Sequence, residues 1–111
     1  MIKLGVAGSP INHSLSPVIH LAAYKELKID AEFDALEVNE NTFRDFYQDA
    51  KKKNFRGLAL TMPLKEVCID YLDLVEPVAR QITSVNTIVF KSGGGNGFST
   101  DLLAFQNFLS P

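Results

Sequence analysis

The chain has no tryptophan and one cysteine, Cys68. A single thiol cannot close an intrachain disulfide, and no second cysteine or suitably spaced histidine offers a zinc site. His13 and His20 lack a third ligand at a metal-binding spacing, so no metal role is expected. Long apolar runs are missing as well. The stretch from Ile2 to Ala7 meets Gly8-Ser9-Pro10, too short for a signal-peptide core or a bilayer span. Nor is there an excess of positive charge. With 11 basic and 13 acidic side chains the net charge is −2, which supplies no electrostatic footprint for nucleic acid. The one basic run, Lys51-Lys52-Lys53, reads as the C-terminal end of a helix, where cations complement the dipole. A cytoplasmic protein without membrane or nucleic-acid partners is expected.

What is present suits one folded domain: 111 residues, 46% hydrophobic and 22% charged. Ile2 to Ala7 reads as a buried strand. Ser16-Pro17 reads as a helix cap followed by proline at the first helical position, and Ile19, Ala22, Ala23 and Leu27 carry a helix to about Lys28. Glu32 to Val38 suits a half-exposed or edge strand, with Leu36 breaking its alternation. Thr42-Phe43-Arg44-Asp45 resembles a capping box opening a helix over 42–53. Gly57 to Thr61 is a buried strand stopped by Pro63. Short helices are expected over 65–72 and 76–82, a strand pair over 85–90 and 97–100, and a closing helix over 101–109. That helix presents Leu102, Phe105, Phe108 and Leu109, enough apolar surface to dock on the sheet, or to self-associate should it normally meet a second domain. Strands alternating with helices imply an α/β fold, a three-layer sandwich with a mostly parallel sheet and helices on both faces. Ligand chemistry then belongs at the carboxyl ends of the strands.

Three polar clusters fall at those ends. Asn12 to Ser16 sets the hydroxyls of Ser14 and Ser16 beside unpaired helix N–H groups, which suits a carboxylate, although Ser16 alone reads as a cap. Thr61-Met62-Pro63-Leu64-Lys65 puts a lysine just past a buried strand, where it could exchange a proton with a substrate oxygen. Taken singly, Lys65 is an ordinary solvated lysine. Asp101, after Thr100, is by default a helix cap. The tract Gly93-Gly94-Gly95-Asn96-Gly97 has neither dinucleotide nor Walker spacing, since Phe98 and Thr100 stand where a third glycine is needed; a hairpin turn accounts for it.

In combination these residues resemble the N-terminal, substrate-binding domain of shikimate dehydrogenases. Gly8 to Pro17 with His20 looks like that family's opening motif, Gly57 to Lys65 its second, Ser84-Val85-Asn86-Thr87 its third and Gly97-Phe98-Ser99-Thr100-Asp101 its fourth. The resemblance covers essentially residues 1–111. It implies reversible, NADP-dependent reduction of 3-dehydroshikimate to shikimate in the route to aromatic amino acids. It further implies that Ser14 and Ser16 bind the substrate carboxylate, that Thr61, Asn86 and Asp101 hold ring hydroxyls, and that Lys65 and Asp101 form the catalytic pair.

Two departures bear on substrate identity. Ala59-Leu60-Thr61 stands where the family usually reads Asn-Val-Thr, and Ser99-Thr100-Asp101 where it reads Asn-Thr-Asp, with Ala104 at a position commonly glycine. A quinate/shikimate dehydrogenase domain is the alternative within the enzyme class; a stand-alone, non-catalytic module for shikimate-like acids is the alternative outside it. Family members continue into a Rossmann domain that binds NADP, and none of these 111 residues supplies its glycine loop. The purified chain is expected to show no NADP-dependent oxidation of shikimate; turnover above background would contradict that expectation.

Overall fold

A computed structural model describes residues 2–11, 25–26 and 28–100. In chain order its elements are β1 (Ile2–Gly8), β2 (Ala31–Glu37), α1 (Phe43–Lys52), β3 (Phe55–Leu60), α2 (Leu64–Val67), a 3-10 turn (Cys68–Asp70), β4 (Leu74–Val75), α3 (Pro77–Ile82), β5 (Thr87–Lys91) and β6 (Gly94–Phe98). The strands form one sheet in the order β2-β1-β3-β5-β6-β4. β1 pairs in parallel with β2 and β3, and β4 with β6. β5 runs antiparallel to both β3 and β6. The α/β sheet expected from the alternation is therefore present, with β2 at its edge as the charged alternation of that segment implied. β4 was not expected, because two residues carry no period. The helix expected over 17–28 lies largely outside the described residues, although Lys25 and Glu26 are helical. The one over 101–109 lies wholly outside them, as does its docking.

Period-2 alternation sorts the side chains of the sheet onto two faces. Ala7, Leu58, Leu60 and Ile88 pack with Phe43, Tyr47 and Ala50 of α1, and none of these is more than 4% exposed. The intervening residues Leu4, Val6 and Ala59 lie with Phe33 and Ile11 in a smaller cluster. Phe43, Tyr47 and Ala50 recur at i, i+4 and i+7, so one stripe of α1 is buried, with Phe46 half-buried beside it, while the other positions stay polar. The capping box is a misreading. Thr42 makes no side-chain cap bond, because Asn39 engages it: the Asn39 N–H donates to Thr42 Oγ1 at 3.0 Å, and Asn39 Oδ1 accepts from the N–H groups of Asn41 and Thr42. Glu76 does cap α3, accepting from the Ala79 N–H at 3.3 Å, with Pro77 opening the helix.

The glycine tract also folds otherwise than expected. The turn is confined to Ser92 and Gly93, both at positive φ (54° and 79°), and Gly94, Gly95 and Gly97 are strand residues of β6. Their missing side chains make room. A Cβ on Gly95 would run into the Tyr47 ring, one on Gly94 would lie 3.2 Å from Asp73, and one on Gly97 would crowd Leu72. Into that space Tyr47 donates its hydroxyl hydrogen to Asp73 Oδ2. The Gly95 N–H donates to both, at 3.0 Å to Tyr47 Oη and 2.9 Å to Asp73 Oδ2. Lys51 Nζ lies 3.6 Å from the same carboxylate oxygen and 4.9 Å from the Tyr47 ring centroid. Burial, with the Asp73 carboxylate adding to it, pushes the Tyr47 phenol up to about 12, so it remains a donor at any ordinary pH. The hydrogen bond from Tyr47, joined by that from Gly95, holds Asp73 below its ordinary 3.8.

Gly95→Ala should cost roughly 1–3 kcal/mol in urea unfolding through overpacking against Tyr47. Gly93→Ala meets nothing within 4 Å and strains only its φ of +79°, so it should cost on the order of 1 kcal/mol. Because the Asp73 pKa is lowered on folding, its contribution is complete above 3.8 and is lost as pH falls through the lower folded value. Asp73→Asn should flatten that acid limb of the urea midpoint against pH, and an unchanged limb would remove the carboxylate from the account.

Candidate functional site

β1 and β3 run in the same direction and β5 in the opposite one, so one edge of the sheet collects the ends of β1, β3 and β6 and the start of β5. Backbone hydrogen bonds stitch these ends together. The Thr61 N–H donates to the Ala7 carbonyl at 3.0 Å and the Ser9 N–H to the Met62 carbonyl at 2.8 Å. Leu60 N–H donates to the Asn86 carbonyl at 2.8 Å, and Asn86 N–H to the Phe98 carbonyl at 3.0 Å. Val38 N–H reaches the Gly8 carbonyl at 3.0 Å, and Ile11 N–H reaches Glu37 Oε1 at 3.2 Å, which draws the end of β2 into the same edge. A buried backbone leaves few polar groups unmatched. This edge meets that demand by bonding loop to loop.

Of the residues singled out in the sequence, Thr61, Lys65 and Asn86 are described, and all three belong to this edge. Thr61 follows β3 directly. Lys65 sits in the first turn of α2, half-buried, and its carbonyl accepts from the Val85 N–H at 2.8 Å, one residue before Asn86. That bond fastens the second motif to the third. Asn86 Oδ1 accepts from Thr87 Oγ1 at 2.9 Å and from Thr100 N and Oγ1 at 3.0 and 3.1 Å, which fastens the third motif to the fourth. Thr100 is already helical and Ser99 before it is 4% exposed. Ser14, Ser16, His13, His20 and Asp101 lie outside the described residues.

Three contributors were not picked out as site residues. Gly8 is one: a Cβ there would overlap the Thr61 side chain and come within 2.8 Å of the Met62 carbonyl. The close approach of the first two loops therefore requires glycine. Glu37 is the second, and its place at the end of an edge strand gave no hint of its bond to Ile11. Thr87 is the third, one residue past Asn86. Ala59 pairs with Val6 and Thr87. It adjoins a hollow of about 370 Å³ lined chiefly by Leu4, Phe33, Gly57, Ile88 and Val89. The polar edge thus borders an apolar floor where the family pattern has an amide. Cys68, fully buried, has its thiol pushed up to about 12 by desolvation and lies 3.7 Å from the Lys65 carbonyl. Among the described residues no group of three or more His, Cys, Asp or Glu could hold a metal ion, and no helix is long and apolar enough to cross a membrane.

Residues 6–88 match the family described as the shikimate dehydrogenase substrate binding domain. The chain is 43% identical over 105 residues to a shikimate dehydrogenase (NADP(+)) of Bacillus anthracis, covering 95% of this chain and 38% of that protein. It is similar in structure to the shikimate 5-dehydrogenase of Thermus thermophilus solved with shikimate, at a TM-score of 0.90 and 35% identity over 98% of this chain and 42% of the other. A Listeria monocytogenes shikimate 5-dehydrogenase solved with shikimate and NAD gives a TM-score of 0.91 at 34% identity, covering 98% and 38%. The chain thus spans about 38% of the length of the curated relative it matches. Gly8→Ala should move the backbone amide resonances of Ser9, Thr61 and Met62 and cost about 1–3 kcal/mol in stability. Unmoved Thr61 and Met62 signals would show that the two loops do not depend on the missing Cβ.

Proposed function

Because this chain belongs to the shikimate dehydrogenase substrate-binding domain family, we propose that its residues 1–111 form the substrate-binding domain of a shikimate dehydrogenase. The reading gives Ser14 and Ser16 the ligand carboxylate, Thr61, Asn86 and Asp101 the ring hydroxyls, and Lys65 with Asp101 the proton chemistry. Its main support is the hydrogen-bonded continuity of one sheet edge, in which Lys65 is tied to Val85 and Asn86 to Thr100, the neighbour of Asp101. Reduction of a ring ketone builds negative charge on its oxygen. The Lys65 ammonium would stabilise that charge and give up the proton, and Asp101 would orient it. The cytoplasm is the compartment that suits such a biosynthetic step.

The hydride for that reduction comes from a nicotinamide, in keeping with the NADP(+) in the relatives' names. The described residues do not fit such a cofactor. Their glycine-rich stretch turns at Ser92-Gly93 and then pairs as β6, with Gly94, Gly95 and Gly97 packed against Asp73, Tyr47 and Leu72, instead of opening a helix beneath a pyrophosphate. This chain's part is to bind and orient the ring acid and to move its proton.

Titration of shikimate into the isotopically labelled chain should give saturable shifts at Ser14, Ser16, Thr61, Lys65, Asn86 and Asp101, with quinate as the comparison. No shifts up to millimolar ligand would defeat the proposal. Ala59→Asn restores the amide of the family pattern and should tighten shikimate binding several-fold, about the worth of one hydrogen bond. Equal affinities would mean that position 59 does not reach the ring.

A further inference from the structure

We propose that Thr87 and Thr100 are positioning residues that lock the Asn86 carboxamide in one orientation, so that Asn86 can meet a ligand only as a hydrogen-bond donor. The inference deepens the proposed function and rests on it for the ligand, while the lock itself is a property of the free protein. An asparagine offers an acceptor oxygen and a donor NH₂, and in open solvent its terminal amide can present either. At position 86 the choice has been taken away. The backbone N–H and carbonyl are held by Phe98 and Leu60 across two strands, at 3.0 and 2.8 Å. Oδ1 then receives Thr87 Oγ1, Thr100 N and Thr100 Oγ1, all within 3.1 Å. The Thr100 N–H decides the orientation. A backbone N–H can only donate, so turning the amide over would set donor against donor. Among the described residues nothing accepts from Nδ2, and its two hydrogens are what Asn86 has left to offer.

Such a contact selects by polarity. A donor held in place can donate to a ketone or a hydroxyl oxygen alike, and it loses its partner when the ring carries only C–H at that position. The orientation is set before the ligand arrives, so binding does not have to freeze the amide. Thr100 also directly precedes Asp101, and its two bonds to Oδ1 fix the spacing between the third and fourth motifs.

The test uses the full chain, labelled with ¹⁵N, as the parent and as Thr87→Val, Thr87→Ser and Thr100→Val. In the free parent the Asn86 side-chain NH₂ pair should stand apart from those of solvent-exposed amides. Thr87→Val should move it toward them and weaken shikimate binding about three- to tenfold, the worth of one hydrogen bond. Thr87→Ser keeps the hydroxyl and should match the parent in both readouts, which a purely structural role for the side chain would not require. Thr100→Val, at an exposed site, should act in the same direction but more weakly, since its N–H still bonds Oδ1. An unchanged Asn86 pair in both valine variants, or Thr87→Ser behaving like Thr87→Val, would overturn the proposal. Should the parent fail to bind shikimate, the functional reading falls, and the lock is then decided by the side-chain resonances of the free protein alone.

Discussion

The antiparallel pairing of β3 with β5 is the constraint on which the rest of this molecule depends. Had β5 run with β1 and β3, its start would lie at the opposite edge, and Asn86 would be a strand length away from Thr61. Reversed, it puts the residue before β5 beside the last residue of β3, with Leu60 N–H on the Asn86 carbonyl. β6 then returns antiparallel and delivers Ser99 and Thr100 to the same place. Segments far apart in the chain meet because β5 runs against both of its neighbours, while the other strand pairs stay parallel.

That edge is held almost entirely through backbone and neutral groups. Ala7, Gly8, Leu60, Met62, Val85 and Phe98 contribute main-chain bonds, which many side chains at those positions could preserve. Side-chain identity matters at fewer points: where two backbones approach too closely for a Cβ, at Gly8, and where an amide must be turned one way, at Asn86. A scaffold of this kind can keep its geometry whether the floor beside it carries an amide or the methyl of Ala59.

Much of this could be read in the sequence for simple reasons. Ile2 to Ala7 and Gly57 to Thr61 are short apolar runs with polar stops, and both became strands ending at the site. Pro77 marked the start of its helix because proline tolerates that position. Thr61, Lys65 and Asn86 were singled out by resemblance and lie on one edge. Legibility failed where a local pattern had two uses. Thr42 and Asp45 have capping-box spacing, but Asn39 three residues earlier competes for the same hydroxyl and forms the turn instead. The glycines at 94, 95 and 97 read as turn because nothing local announces Tyr47, forty-eight residues before Gly95. Thr87 entered only as the last residue of the third motif, and nothing local announced that its hydroxyl bonds the carboxamide oxygen of Asn86.

Those same glycines give β6 an unusual dependence. Three of its five residues have no side chain, and glycine disfavours the extended state entropically, so the strand has little tendency to persist by itself. It is ordered by what leans on it, chiefly the Tyr47 hydroxyl and the Asp73 carboxylate gripping the Gly95 N–H. Helix α1 and the β5–β6 hairpin should then open and close as one cooperative unit, with amide protection in Gly94–Phe98 rising and falling with that of Phe43–Lys52. Asn86 and Thr100 bracket that hairpin, so the rigidity of the edge they occupy is borrowed from an aromatic side chain at the far end of the sheet.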